Sequence, residues 1–428
     1  MAVVDLRGMA VSNAGAQALE HYNAVLASLH RYRGDALGAA TALVADEPGF
    51  VSARCLRAGL LVLADDRLAD RQLATELRAL DALRAKATAR DAAHMAAAQA
   101  WLAGDARLAL RRYGEIAAQC PHDLLALQIA HNLDLRLGAT ESLRDRIAAV
   151  LPHWHARLPG YACVLAMYAF GLQENEHCEA ALHVGQRALE LEPGNPGAIH
   201  AIAHVHHRRH EAAEGLEWLR RTRADWDGNS VFSVHNAWHE ALFHLQHSDI
   251  DMALSIYDRE IHVHRKAGVF ALVDASALLW RIALRRSDLQ QRWHELADQW
   301  ESRVHDQRRI FNSVHALMAC AAAGRTHSSA RILELIGDRK LQRTVVNADQ
   351  RLALPVALAV NAFCLGNYAE AARLLTQVRE LARRCGGSLA QCDLVELTLR
   401  EAQARRSRPA HRSAAAPQAA PAASLSAA

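Results

Sequence analysis

Four histidines fall in the stretch HNAWHEALFHLQH (235–247), and five more in HAIAHVHHRRH (200–210). His200 and His204 share HxxxH spacing, and so do His235 and His239. Residues four apart lie one above the other on a helix face, so each pair offers two imidazoles to one divalent metal ion. Asp274, within VDASALLWRI, or His315 would complete such a shell. The metalloprotease pattern HExxH is absent: His239–Glu240 is followed by His244, one residue too far, and His294–Glu295 leads to Asp298. A metal-free reading uses the same residues. Imidazoles with Asp274, Asn236 and Trp238 would hold an anionic or aromatic small molecule, the histidines donating and Trp238 stacking. One histidine as base and another as acid would make the cluster an active site. The plain alternative is that the imidazoles bond carbonyls and Asp274 and tie helices together.

Something must bring these stretches to one place. The chain has 428 residues, 51% of them apolar, with only 22 glycines and 10 prolines. Ala and Leu dominate, and these, like Arg and Glu, are inexpensive to hold in helices. Prolines close helical stretches at Pro48, Pro121 and Pro193, at spacings of 73 and 72 residues. That is two units of about 36, close to the 34-residue tetratricopeptide unit of two antiparallel helices. With proline at position 32, position 20 falls on Ala36, Ala109 and Ala181, where a small residue lets the two helices approach closely. The expectation is an all-α, TPR-like solenoid of stacked helix pairs over residues 1–404. An Ala/Pro/Ser-rich tail, 405–428, is expected to be disordered.

In this repeat type positions 2, 5, 9 and 12 of the first helix face the concave groove. The unit beginning at 196 puts His200 at 5, His204 at 9 and His207 at 12. Ala109 at position 20 puts His94 at 5, and Ala330 at 20 puts His315 at 5. Ala253 at 20 starts a unit at 234, with His235 at 2, Trp238 at 5 and His239 one step off the groove. Histidines from several units are thus aimed into one cavity.

The chain resembles the tetratricopeptide repeat protein 38 family over roughly residues 30–400. The likeness is carried by FVSARCLRAGLLV, DLLALQIAHNLDLRLG, AIHAIAHVHH, HNAWHEALFHLQHSDIDMALSIYD, VDASALLWRI, FNSVHALMA and GGSLAQCDL. It falls on His94, His131, His200, His204, His206, His235, Asn236, Trp238, His239, Asp274, His315, Gly386, Gly387 and Asp393. The family pattern has Asp where this chain has Ser313, so any chemistry resting on that acid is in doubt here. The resemblance implies an all-helical repeat fold and no particular activity.

A net charge of +3, without a basic stripe, argues against nucleic acid as partner. No P-loop or dinucleotide fingerprint occurs, and the GG of RRCGGSLAQCDL reads as a turn between helices. No run of 18 uncharged apolar residues occurs, so no membrane span is expected. The eight cysteines form no CxxC and read as buried thiols of a reducing, cytoplasmic setting. The expected partner is a small molecule or peptide in the concave groove; a divalent metal is the one cofactor the spacing suggests.

Overall fold

The computed structural model describes residues 3–12, 14–64, 67–228, 232–262, 268–303, 309–338, 350–384 and 386–407. The N-terminal helices are α1 (Ala16–His30), α2 (Ala36–Asp46), α3 (Val51–Ala64), α4 (Arg67–Ala82), α5 (Ala89–Leu102), α6 (Ala106–Gln119), α7 (Leu124–Arg136) and α8 (Thr140–Val150). The central ones are α9 (Tyr161–Glu174), α10 (Cys178–Leu191), α11 (Pro196–Arg208), α12 (Ala212–Arg221), α13 (Arg223–Trp226), α14 (Phe232–Gln246), α15 (Ile250–Ile256) and α16 (Val269–Ala283). The C-terminal ones are α17 (Gln290–Glu301), α18 (Ile310–Ala322), α19 (Thr326–Gly337), α20 (Gln350–Cys364), α21 (Tyr368–Val378), α22 (Leu389–Cys392) and α23 (Leu394–Ser407). No strand longer than an isolated bridge, such as that between Val4 and Ala10, occurs among the described residues. The protein is an all-α, TPR-like solenoid.

Local chemistry starts the helices where the repeat requires. Asp35, Asp105, Asp123, Asn195, Asp249 and Asn367 each accept a hydrogen bond from a backbone N–H in the first turn of the helix that follows. Such caps satisfy amides that a helix leaves unpaired. Most connections are only a few residues long, which makes sequential helices antiparallel neighbours. Each helix packs on the next, and first helices of successive pairs also touch: α9 on α11, α11 on α14, α14 on α16, α16 on α18. These first helices form the inner layer. Of the expected close-approach alanines, Ala109, Ala181 and Ala253 are buried, while Ala36 is half-buried and Ala40, one turn on, is buried instead.

One register does not hold. Ala330 is exposed and Ser329 is buried in its place. The unit therefore starts at 310, where α18 begins, and His315 moves from position 5 to position 6, off the groove face. The final helix continues to Ser407, three residues beyond the expected boundary; residues 408–428 of the expected tail lie outside the described residues.

Close packing between α8 and α9 depends on Gly171. A Cβ there would stand 2.8 Å from the Arg144 Cα and 2.9 Å from the Leu143 carbonyl oxygen. Backbone on both sides leaves no side chain to rotate away, so the helices would have to part. Gly171→Val is expected to cost about 2–3 kcal/mol, as overpacked cores do. A lowered thermal midpoint of that size is the check, and an unchanged midpoint would contradict the close approach.

The ends of the solenoid fold back on its middle. After α1, Arg31 Nε donates to Glu192 Oε1 at 2.6 Å, Arg33 bonds the Asp225 carbonyl, and the Tyr32 ring meets that of Phe232 with centroids 4.7 Å apart. At the other end α22 reaches α11, and the Leu389 N–H donates to Glu174 Oε2 at 3.0 Å.

Candidate functional site

The curled solenoid encloses a cavity of about 490 Å³. Its walls follow the repeat register. From the unit beginning at 124 come Gln128, Asn132 and Leu135, at positions 5, 9 and 12. From the unit at 162 come Cys163, Ala166 and Phe170, at 2, 5 and 9; from that at 196, Gly197, His200 and His204. Helix α14 contributes Phe232 and His235, α16 contributes Phe270 and Val273, and α18 contributes Phe311 and Asn312. His30 and Tyr32 close one end. Gly386, Gly387, Ser388 and Gln391 close the other. Gly386 adopts φ +87°, a left-handed turn, and a Cβ on Gly387 would stand 2.8 Å from the Phe311 ring. The expected GG turn is therefore also the lid against α18, and Arg309 bonds the Gly386 carbonyl.

The polar floor is the histidine cluster. His204 Nε2 lies 3.0 Å from His200 Nε2 and 3.1 Å from His239 Nε2. One ring nitrogen from each of His200, His204, His235 and His239 lies within 4.8 Å of the others. His235 Nδ1 is 2.8 Å from Asp274 Oδ2. The carboxylate is fully buried and fixes the ring's orientation. Across the cluster, Glu174 Oε1 is 3.8 Å from His204 Nδ1. Glu174 also accepts from Gln173 Nε2 at 2.7 Å, yet burial pushes its carboxyl up to about 7. Burial likewise drives His200, His204 and His239 well below the usual imidazole range, and neighbouring histidines push the same way. All three are therefore neutral at pH 7.

The other expected site residues lie in different places. His131 reaches the wall, its ring edge-on to Phe170 with centroids 6.0 Å apart. Trp238, Asn236 and Asp274 are fully buried behind the wall. Trp238 stacks on the back of His235 at 5.2 Å and 11°, and the Arg281 guanidinium covers it at 5.3 Å. It offers no face to a ligand. His235 lines the cavity, as its groove position 2 requires, while Trp238, expected at position 5, is turned behind it. His315 bonds the Phe311 carbonyl at 2.8 Å and is not on the wall, in keeping with position 6. His94 sits in another cluster, 2.8 Å from Asp123, whose carboxylate also meets Arg90. There α3 packs directly on α7, sealing the inner face of α5. His206 pairs with Glu211 outside the cavity.

Among the described residues Cys163 is the one thiol on the wall; burial pushes it up to about 12, so it is no thiolate nucleophile at neutral pH. Gln128, Asn132 and Phe170 were not among the expected residues, although the same register points them inward. Only residue type drew attention to the histidines.

No helix among the described residues is long and apolar enough to cross a membrane. No protein-family model matches this chain. Among solved structures, the chain is similar to the TPR domain of P58(IPK). That alignment covers 92% of this chain and 99% of that one, at 13% identity and a TM-score of 0.22. A likeness that low carries no argument, and the fold stands on the helix packing described above.

Proposed function

We propose that this protein binds a small, largely apolar molecule with a polar end, enclosed in the central cavity with the polar end against His200, His204 and His235. The observation that carries this reading is the cavity itself: residues from both ends and from the middle of the solenoid line one space of about 490 Å³. That volume falls in the range of small-molecule sites. Phe170, Phe232, Phe270 and Phe311 supply apolar walls, and the imidazoles supply polar ring nitrogens.

The resemblance to the tetratricopeptide repeat protein 38 family supports the same place. AIHAIAHVHH brings His200 and His204, HNAWHEALFHLQH brings His235 and His239, and VDASALLWRI brings Asp274. GGSLAQCDL brings the lid residues. Stretches that a generic helical repeat has no need of thus gather around one cavity. A second reading, turnover, is favoured by the His235–Asp274 pair, since a buried carboxylate behind a cavity-facing imidazole suits a general base.

Native mass spectrometry of freshly purified protein is expected to show a retained small molecule, and its removal to lower the thermal midpoint. Ala166→Trp fills the cavity from the α9 wall and is expected to abolish retention while the helical signal persists. Equal retention in that variant would place the ligand elsewhere.

A further inference from the structure

His204 Nε2 cannot satisfy both of its neighbours. A ring nitrogen carries one in-plane N–H or one lone pair, so it makes one good hydrogen bond. Here it faces two other Nε2 atoms at 3.0 and 3.1 Å. Its single N–H or lone pair has to be shared between the two, so neither contact is a full hydrogen bond. A further ring nitrogen, His239 Nδ1, is buried with no hydrogen-bond partner. A cation held between the rings would take one lone pair from each facing Nε2 and resolve that conflict.

We propose that His200, His204, His235 and His239 together hold one divalent transition metal ion of the zinc class at the cavity floor. The proposal deepens the small-molecule reading and places the ion beside the bound molecule's polar end. Zinc bound by imidazole at about 2.0–2.1 Å in a tetrahedron sets neighbouring nitrogens about 3.4 Å apart. The two close pairs lie slightly inside that distance, and all four donor atoms lie within 4.8 Å of one another. The donor set is all nitrogen, which suits zinc, copper, nickel or iron and not calcium or magnesium.

The surroundings fit the same ion. Asp274 accepts from His235 Nδ1, leaving Nε2 of that ring for the metal, the usual carboxylate–histidine–metal order. Glu174, 3.8 Å from His204 Nδ1, is placed to do the same for a second ligand. The Asp274 carboxylate, fully buried behind His235, supplies negative charge beside the ion.

The test uses the full chain without a histidine tag, stripped with chelator and titrated with Co²⁺. One Co²⁺ per chain is expected, with the intense visible bands of a four-coordinate site, and Zn²⁺ should displace it. His239→Gln and His204→Gln are each expected to lose this signal, Asp274→Asn to weaken binding about 10–100-fold, and His94→Gln to leave it unchanged. Circular dichroism confirms folding; should one glutamine variant fail to fold, the other decides, and His235→Gln stands behind both. Absence of Co²⁺ binding by folded wild-type protein, or binding undiminished in the folded glutamine variants, overturns the proposal. His239 lies behind the wall, so its loss leaves the cavity free to retain its molecule. Failure of the metal and failure of the small-molecule reading are thereby read separately.

Discussion

Lowering the pH from 7 to 5 is expected to unfold this protein. Among the described residues eight histidines are buried, and in six of them, His30, His131, His200, His204, His239 and His315, the pKa is lowered. Burial is the largest cause of the lowered pKa in each: His30 and His131 fall to about 3, His315 to about 4, and the three cluster histidines well below the usual range. An unfolded histidine titrates near 6.5. Between that value and the folded ones, only the unfolded chain takes up protons, so stability falls as the pH drops. Each group contributes up to about 1.4 kcal/mol per pH unit below ~6.5. Against a total stability on the order of 5–15 kcal/mol, six acting together are decisive even if each delivers half. Glu174, Asp134 and Asp393 oppose this, since burial raises their pKa and favours the folded state as the pH falls. Three carboxyls do not offset six imidazoles. Loss of helical ellipticity between about pH 6 and pH 5 is the expected result; retention of the full signal at pH 4 would contradict it. Zinc, by the metal proposal, should shift that midpoint to lower pH.

Arg281→Leu is expected to release the lid. The Arg281 guanidinium donates to the Ala390 carbonyl at 2.6 Å and the Ala277 carbonyl at 2.9 Å, pairs with Asp393, and lies over Trp238. One buried side chain thus joins α16, the segment carrying α22, and the tryptophan behind His235. Removing one partner of a buried pair costs about 3–5 kcal/mol. The Asp393 side chain keeps 38% exposure, so solvent screening reduces this to about 2–3 kcal/mol. The thermal midpoint should fall accordingly, and the chain around 386–393 should become the first site of proteolytic cleavage. Unchanged stability and cleavage would show that α22 is held by other contacts.

Much of the inner wall was legible because proline and alanine mark a constant spacing through the middle of the chain. His200 and His204 follow directly from Pro193. Legibility was partial further along. At α14 His235 lines the cavity as position 2 requires, but Trp238, expected inward at position 5, is turned away behind it. A one-residue error between Ala330 and Ser329 misplaced His315. Closure itself was not legible. The contacts that make it, Tyr32 on Phe232 and Leu389 on Glu174, join residues about two hundred positions apart and leave no periodic trace.

The most direct test of the account is a crystal structure from protein purified without chelator, with diffraction recorded on both sides of the zinc absorption edge. The account predicts His200, His204, His235 and His239 converging beneath the cavity, with one anomalous peak among their ring nitrogens. A structure in which the His200/His204 pair and the His235/His239 pair face opposite surfaces would contradict it.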